Sequence, residues 1–369
     1  MRNHERNSDR TLAIAFATGL FLLPLAAPAQ DATTPQPAPA PTFAEQVEVT
    51  EVLVDAVVTD RDGNVIVGLG PGDFEVTENG KPVELTDVKF YSSRARYDAA
   101  GRPLDKAEAQ RFFILFFDDQ RRANTDIPGV LARELDAARR AKDWIRTLGP
   151  ADYVAIASFD NSLAVEQDFS RDRKELLRGI DEAVTGKGSK GNWPSRLPPE
   201  GGPSLLRNLP AGNEVRDRTP TVYEALQELA KAASHLVGRK NLVLVSSGFG
   251  NVNGFGQFQP DPRYDVPTAQ ILNDANVAVY AVDVLEAGAE SPLSSSLSLL
   301  SDQTGGRYFQ HIVNFVTPFE QIAGETTGYY LLAYRATHPR GETGYQKVNV
   351  SVKSREFRVK AREGYRYGG

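Results

Sequence analysis

Phe112-Phe113-Ile114-Leu115-Phe116-Phe117, running directly into Asp118-Asp119-Gln120-Arg121-Arg122, is the stretch that decides the fold. An uninterrupted apolar run has no side to offer water. A strand of this kind is buried on both faces, which predicts a central strand of a parallel sheet. A second run, Asn241-Leu242-Val243-Leu244-Val245-Ser246, ends in Ser247-Gly248. Both runs stop at polar residues. In a parallel sheet the loops beyond such strand ends are where ligands gather.

Outward from these runs, strand-like and helix-like segments alternate from Arg111 to about Ala323. The pattern predicts an α/β fold with a doubly wound, mostly parallel sheet covered on both faces. Residues 128–148 carry Val130, Leu131, Leu135, Ala138, Ile145 and Leu148 at helical spacing, stopped by Gly149-Pro150. Residues 153–159 read as the next strand and 164–169 as a short edge strand. Ser170 reads as the cap of a helix reaching Val184. Residues 221–236 and 268–273 read as helices, and 277–282 as a strand ending at Asp283. Two segments interrupt the alternation. Residues 185–220, rich in Gly, Pro, Ser and Asn and carrying Trp193, read as a long loop that is either functional or mobile. Residues 248–262 read as a second loop, holding Phe249, Phe255 and Phe258.

Both flanks are strand-rich. In residues 47–58 valines nearly alternate with polar residues. Asn79-Gly80 is a strong hairpin signal. Residues 328–334, 346–352 and 357–361 also read as strands. They do not extend a parallel sheet easily, so the N- and C-terminal strands are expected to form one flanking β-sandwich with the α/β domain inserted between its halves. The organisation is then a signal peptide at 1–29, a Pro/Ala-rich linker at 30–42, an N-terminal β segment at 43–98, the α/β domain at 108–326 and a C-terminal β segment at 327–369. Short Asp/Gly-rich turns such as 60–64 read as solvated turns rather than calcium loops.

The start of the chain reads as an export signal: Arg2, Arg6 and Arg10, an apolar stretch to Ala27, and Ala27-Pro28-Ala29 as the cleavage pattern. The apolar stretch is short for a membrane span, and no later run is long enough for one. The expected location is periplasmic or extracellular. The 369 residues contain no cysteine, which excludes disulfides, thiol catalysis, cysteine-based zinc sites and iron–sulfur clusters. A net charge of −6 argues against nucleic-acid binding, which needs a basic face.

Several stretches together resemble the VWFA-related proteins typical of Acidobacteria. They are Gly68-Leu69, Asp73-Phe74-Glu75-Val76, Glu78-Asn79-Gly80-Lys81, Phe116-Phe117-Asp118-Asp119, residues 148–155, residues 238–246, Thr304-Gly305-Gly306-Arg307-Tyr308 and residues 359–365. The resemblance implies a von Willebrand factor A-like domain flanked by β structure. In metal-binding members of that wider family the first strand ends in Asp-x-Ser-x-Ser and a later one in Ser-Asp-Gly, and these side chains hold a divalent ion. Here the two serines are replaced by Gln120 and Arg122, and the second aspartate by Ser247. A degenerate site remains in Asp118, Asp119, Thr221 and Ser247, with Mg²⁺ or another divalent cation as the only cofactor to consider. Strict spacing puts Pro220 at the family's threonine. Arg122 would oppose a cation, and one or two carboxylates with neutral hydroxyls make a poor hard-ion site.

Other chemistries fit less well. Residues 185–192 lack the lysine of a phosphate loop, with Asn192 at its place. Val245-Ser246-Ser247-Gly248 lacks the preceding glycine of a nucleophile elbow. A serine hydrolase using Ser246 or Ser247 would need His235, His311 or His338 beside it. The expectation is therefore an exported, non-enzymatic interaction module that binds a protein or surface ligand through Gln120, Arg121, Arg122, Trp193, Phe249 and Phe255. A cation-dependent adhesin using Asp118 and Asp119 is the alternative.

Overall fold

Residues 51–93, 96–97, 103–105, 110–118, 127–185, 201–338 and 342–368 are described by the computed structural model. The signal, the linker, Asp119, Gln120, Arg121, Arg122 and Trp193 lie outside them. In chain order come β1 (Glu51–Thr59), β2 (Phe74–Glu78), β3 (Lys81–Val83) and β4 (Leu85–Ser92), then the small pair β5 (Arg96–Tyr97) and β6 (Pro103–Asp105). The α/β body follows with β7 (Arg111–Asp118), α1 (Ile127–Thr147), β8 (Asp152–Phe159), β9 (Leu163–Ser170), α2 (Arg173–Thr185), α3 (Asn213–Arg218) and α4 (Val222–Ala233). It continues with β10 (Lys240–Ser246), β11 (Asn251–Val252), β12 (Phe258–Gln259), α5 (Asp265–Asp274), β13 (Val277–Asp283), α6 (Ser294–Gln303), β14 (Arg307–Phe309) and α7 (Val316–Glu325). Four strands close the chain: β15 (Gly328–Arg335), β16 (Gly344–Val352), β17 (Arg358–Ala361) and β18 (Gly364–Tyr367).

The central sheet has the order β14-β13-β10-β7-β8-β9 and is parallel except for β9, which runs against β8. The apolar run behaves as its composition demands. Phe112, Ile114 and Phe116 pack on the α4, α5 and α6 side, while Phe113, Leu115 and Phe117 pack on the α1, α2 and α7 side. Because strand side chains alternate between faces, only a strand covered on both sides tolerates apolar residues at every position. The doubly wound sheet is therefore as expected.

The flanking β-sandwich is also as expected. One sheet has the order β17-β1-β15-β4 and the other β18-β16-β2-β3, so each mixes strands from both flanks. All pairings are antiparallel. Val54, Ala56, Phe74, Val76, Tyr330, Leu332 and Val348 share its core. Asn79 and Gly80 turn β2 into β3 with φ of 48° and 78°, as a two-residue hairpin turn requires.

Local readings need correction in three places. Ser170 is not the helix cap: Asp172 Oδ1 accepts from Lys174 N at 2.8 Å and Glu175 N at 3.3 Å. The α5 helix starts at Asp265, upstream of Pro267, because a first-turn proline gives up no helical hydrogen bond. The second half of 185–220 is not a free loop. Leu205, Leu209 and Val215 are buried in the core, and Asp168 anchors the segment by accepting from Ser204 Oγ at 2.5 Å and Leu205 N at 2.7 Å.

One charged network ties the sandwich to the α/β body, and other charged groups brace the α/β body itself. Glu325, 1% exposed, pairs with both Arg307 and Lys360 of β17. Arg111 grips Asp152 with two bonds of 2.7 and 2.5 Å. Lys240, also buried, donates to the Leu236 carbonyl at 3.0 Å. Burial, with a smaller push from Arg362, lowers its ammonium to about 8 from 10.5, against the pull of Asp55.

The folded pKa lies below the unfolded one, so the unfolded chain holds the extra proton between the two values. Stability is therefore depressed below about pH 8 and recovers as pH rises toward 10.5. The recovery should reach ~2 kcal/mol. Above about pH 10 it reverses, because burial raises Tyr223, Tyr280 and Tyr334, which must ionise on unfolding. Urea unfolding across this range should show the rise in the native protein and a smaller one in Lys240→Met, the remainder belonging to Lys360, whose ammonium burial also lowers. A rise of equal size in the variant would assign the effect elsewhere.

Candidate functional site

In the strand order, β7 and β10 are the adjacent pair from which the sheet winds in opposite directions. The crevice beyond their carboxyl ends is where ligands sit in such folds. Asp118 ends β7 and Ser246 ends β10. Ser246 Oγ donates to Asp118 Oδ2 at 2.5 Å and accepts from Gly248 N at 3.0 Å. Ser246 is fully buried and Asp118 is 7% exposed. Gly248 has φ of 93°, and a β carbon there would meet the Leu293 carbonyl at 2.4 Å. The turn after β10 is thus locked by a hydrogen-bond chain and a glycine that packs against backbone.

The described metal donors read from the sequence take the following places on this frame. Thr221 caps α4, its Oγ1 donating to Glu224 Oε2 at 3.0 Å and accepting from Glu224 N at 3.4 Å. Ser247 is nine-tenths buried beside Ser246. Asp118 is bonded to Ser246, a hydroxyl left out of the expected set. Among the described residues no three of His, Asp and Glu come together to hold an ion. A lone described carboxylate with neutral hydroxyls does not fit a hard divalent cation, which takes several oxygen ligands.

The partner-contact residues divide as well. Phe249 is not available for contact and is corrected to a core residue. It is 2% exposed, packs edge-on to Tyr223 at 4.9 Å, and its N–H donates to Ser296 Oγ at 3.2 Å. The apolar face of α4 draws it inward, a pull that its Gly-rich surroundings do not reveal. Phe255 is the opposite case, 92% exposed at the tip of the β11–β12 hairpin. Its turn is built by Asn253, whose Oδ1 accepts from Phe255 N at 2.9 Å and Gln257 N at 3.0 Å. Solvent meets a phenylalanine on a defined turn.

Beside this hairpin, beyond the ends of β13 and β14, lies a cavity of about 710 Å³ bordered by Gly256, Gln257, Phe258, Asp283, Glu286, Glu290 and Tyr308. Asp283 is buried and accepts from Tyr308 Oη at 2.6 Å and Leu285 N at 2.8 Å. Burial and the Asp283 carboxylate raise the Tyr308 phenol, so it stays a donor at neutral pH. These residues were missed by the sequence reading. The available signal was the acid closing an apolar parallel strand at 277–283, which repeats the pattern of Asp118.

The chain matches no protein-family model and no curated protein sequence. Solved structures that it is similar to include the conserved hypothetical protein BatB from Bacteroides thetaiotaomicron, at 12% identity and TM-score 0.37 over 58% of this chain and 98% of that one. The SpRpn10 VWA domain is 14% identical, with TM-score 0.34 over 57% of this chain and 94% of that one. The ArnB paralog VWA2 from Sulfolobus acidocaldarius is 11% identical, with TM-score 0.34 over 86% of this chain and 75% of that one.

Proposed function

We propose that this chain is an exported, non-enzymatic interaction module that docks a protein partner on the face beyond the carboxyl ends of its parallel strands, without needing a divalent ion. The observation that carries the reading is Phe255, held 92% exposed on the ordered hairpin that follows β10. Solvated phenylalanine is costly to display, and aromatic anchors of this kind dominate protein interfaces. Among the described residues no three acids or histidines gather to hold an ion, which supports ion-independence. The complete burial of Ser246 supports a structural rather than nucleophilic serine. His338, stacked on Tyr367 at 4.0 Å in the sandwich, is engaged elsewhere. Among the described residues no helix is long and apolar enough to cross a membrane. Export rests on the N-terminal signal pattern, and membership of the Acidobacteria-type family rests on the sequence resemblance alone.

Phe255→Ala should leave urea stability within about 0.5 kcal/mol while removing partner capture. A photo-crosslinking residue at position 255 should trap a partner that unlabelled native protein competes away and Phe255→Ala does not. Equal competition by the variant would sink the docking reading. Calorimetric titration with Mg²⁺, Mn²⁺ and Ca²⁺ tests the ion separately. No heat of binding is expected, and binding that vanishes in Asp118→Ala would restore the cation-dependent adhesin.

A further inference from the structure

The cavity beside the Phe255 hairpin has a distinct chemistry. Three carboxylates line it, from Asp283, Glu286 and Glu290, together with four serines and Tyr308, and among the described residues neither lysine nor arginine contributes to its wall. Asp283 is fixed in the buried part by Tyr308 and the Leu285 N–H, whereas Glu286 and Glu290 are exposed on the segment that follows β13. Negative charge thus runs from the interior to the solvent side. A pocket lined by one sign of charge against low-dielectric walls focuses its field and draws the opposite charge.

The ligand is not a metal ion, because among the described residues no three of these acids and His311 converge closely enough to hold one. Spread carboxylates and hydroxyl groups suit an extended organic cation with several N–H donors. The volume falls in the range of sites that enclose small molecules or long side chains. The same hairpin supplies both features, since Gly256, Gln257 and Phe258 wall the cavity while Phe255 projects beside it.

We propose that this cavity receives an arginine or lysine side chain of the docked protein, with Phe255 packing on an apolar residue next to it in the partner. The proposal rests on the docking reading above and adds the chemistry of what is docked. Arginine fits better than lysine, because its planar fork bridges a carboxylate and neighbouring hydroxyls at once.

A displayed library of random peptides, selected on the native protein, provides the test. Bound peptides should share a basic residue beside an apolar one. They should lose at least about tenfold in affinity to a Glu286→Gln/Glu290→Gln double variant, and weaken as salt rises. Replacing the arginine of a selected peptide by citrulline, which keeps the shape and removes the charge, should cost as much. Both glutamates are exposed, so the double variant should unfold like the native protein. Selected peptides that lack basic residues, or that bind the double variant as tightly, would overturn the cation proposal. If those peptides still lose binding to Phe255→Ala, the docking face stands and only its ligand chemistry is wrong. Peptides indifferent to both sets of variants would remove the face as well.

Discussion

Gly306→Ala should cost about 4 kcal/mol or more and leave little folded protein. A β carbon at this position would stand 1.8 Å from the Val279 carbonyl oxygen and 2.4 Å from its carbon. Both are backbone atoms of β13, a strand held between β10 and β14. No side chain can rotate away, so the chain must break ladder bonds or move the start of β14. Gly254→Ala is the control, because nothing lies within 4 Å of its added carbon. Soluble yield and urea midpoint measure both. A Gly306→Ala protein within about 1 kcal/mol of native would show that β13 and β14 are further apart than described.

Glu325→Leu is the second large effect. The carboxylate is 1% exposed and neutralises Arg307 of β14 and Lys360 of β17 together. Removing it leaves two partly buried cations facing each other, expected to cost about 3–5 kcal/mol. Burial already lowers the Lys360 ammonium, with Glu325 opposing that shift, so the variant sheds the lysine proton more readily. The triple variant Glu325→Leu/Arg307→Met/Lys360→Met separates two explanations. Recovery of most of the loss would show that the penalty is the uncompensated charge. A further loss would show that the network itself holds the sandwich to the α/β body. Urea unfolding of all three proteins at one pH decides it.

The sheet was legible because 112–117 can be satisfied in few other ways, and the Asn79-Gly80 hairpin because its backbone demands those residues. The packing of 201–220 was not legible. Leu205, Leu209 and Val215 are spaced irregularly among Gly, Pro and Asn, and the bonds that pin the segment reach distant partners, Asp168, Leu163 and Ala232. In the candidate site Asp118 was found from the strand end, but its bond to Ser246 depends on two strands far apart in sequence. Phe249 and Phe255 look alike in the sequence. One is drawn under Tyr223 and the other is held out by the Asn253 turn, a difference set by tertiary packing. The acidic cavity was invisible because its wall is assembled from 256–258, 283–298 and 308–311.

The interleaving of the sandwich strands predicts an order of folding. Ala56 pairs with Ala361 and Val52 with Tyr334, so β1 finds both neighbours only near the far end of the chain. Closing such a loop in an unstructured chain is entropically expensive, and pairings at this separation form slowly. An α/β body that folds first would remove most of that cost. Arg111 at its beginning reaches the Ala323 carbonyl at its end, at 3.3 Å, so the flanks emerge side by side. The inserted body is therefore the clasp that makes the sandwich kinetically accessible. A chain arrested before β15 would hold β1 and β4 as open edges, competent to pair with other chains. Aggregation of such truncated chains, and a late refolding phase seen only by probes in the sandwich, are the signatures of that sequence of events.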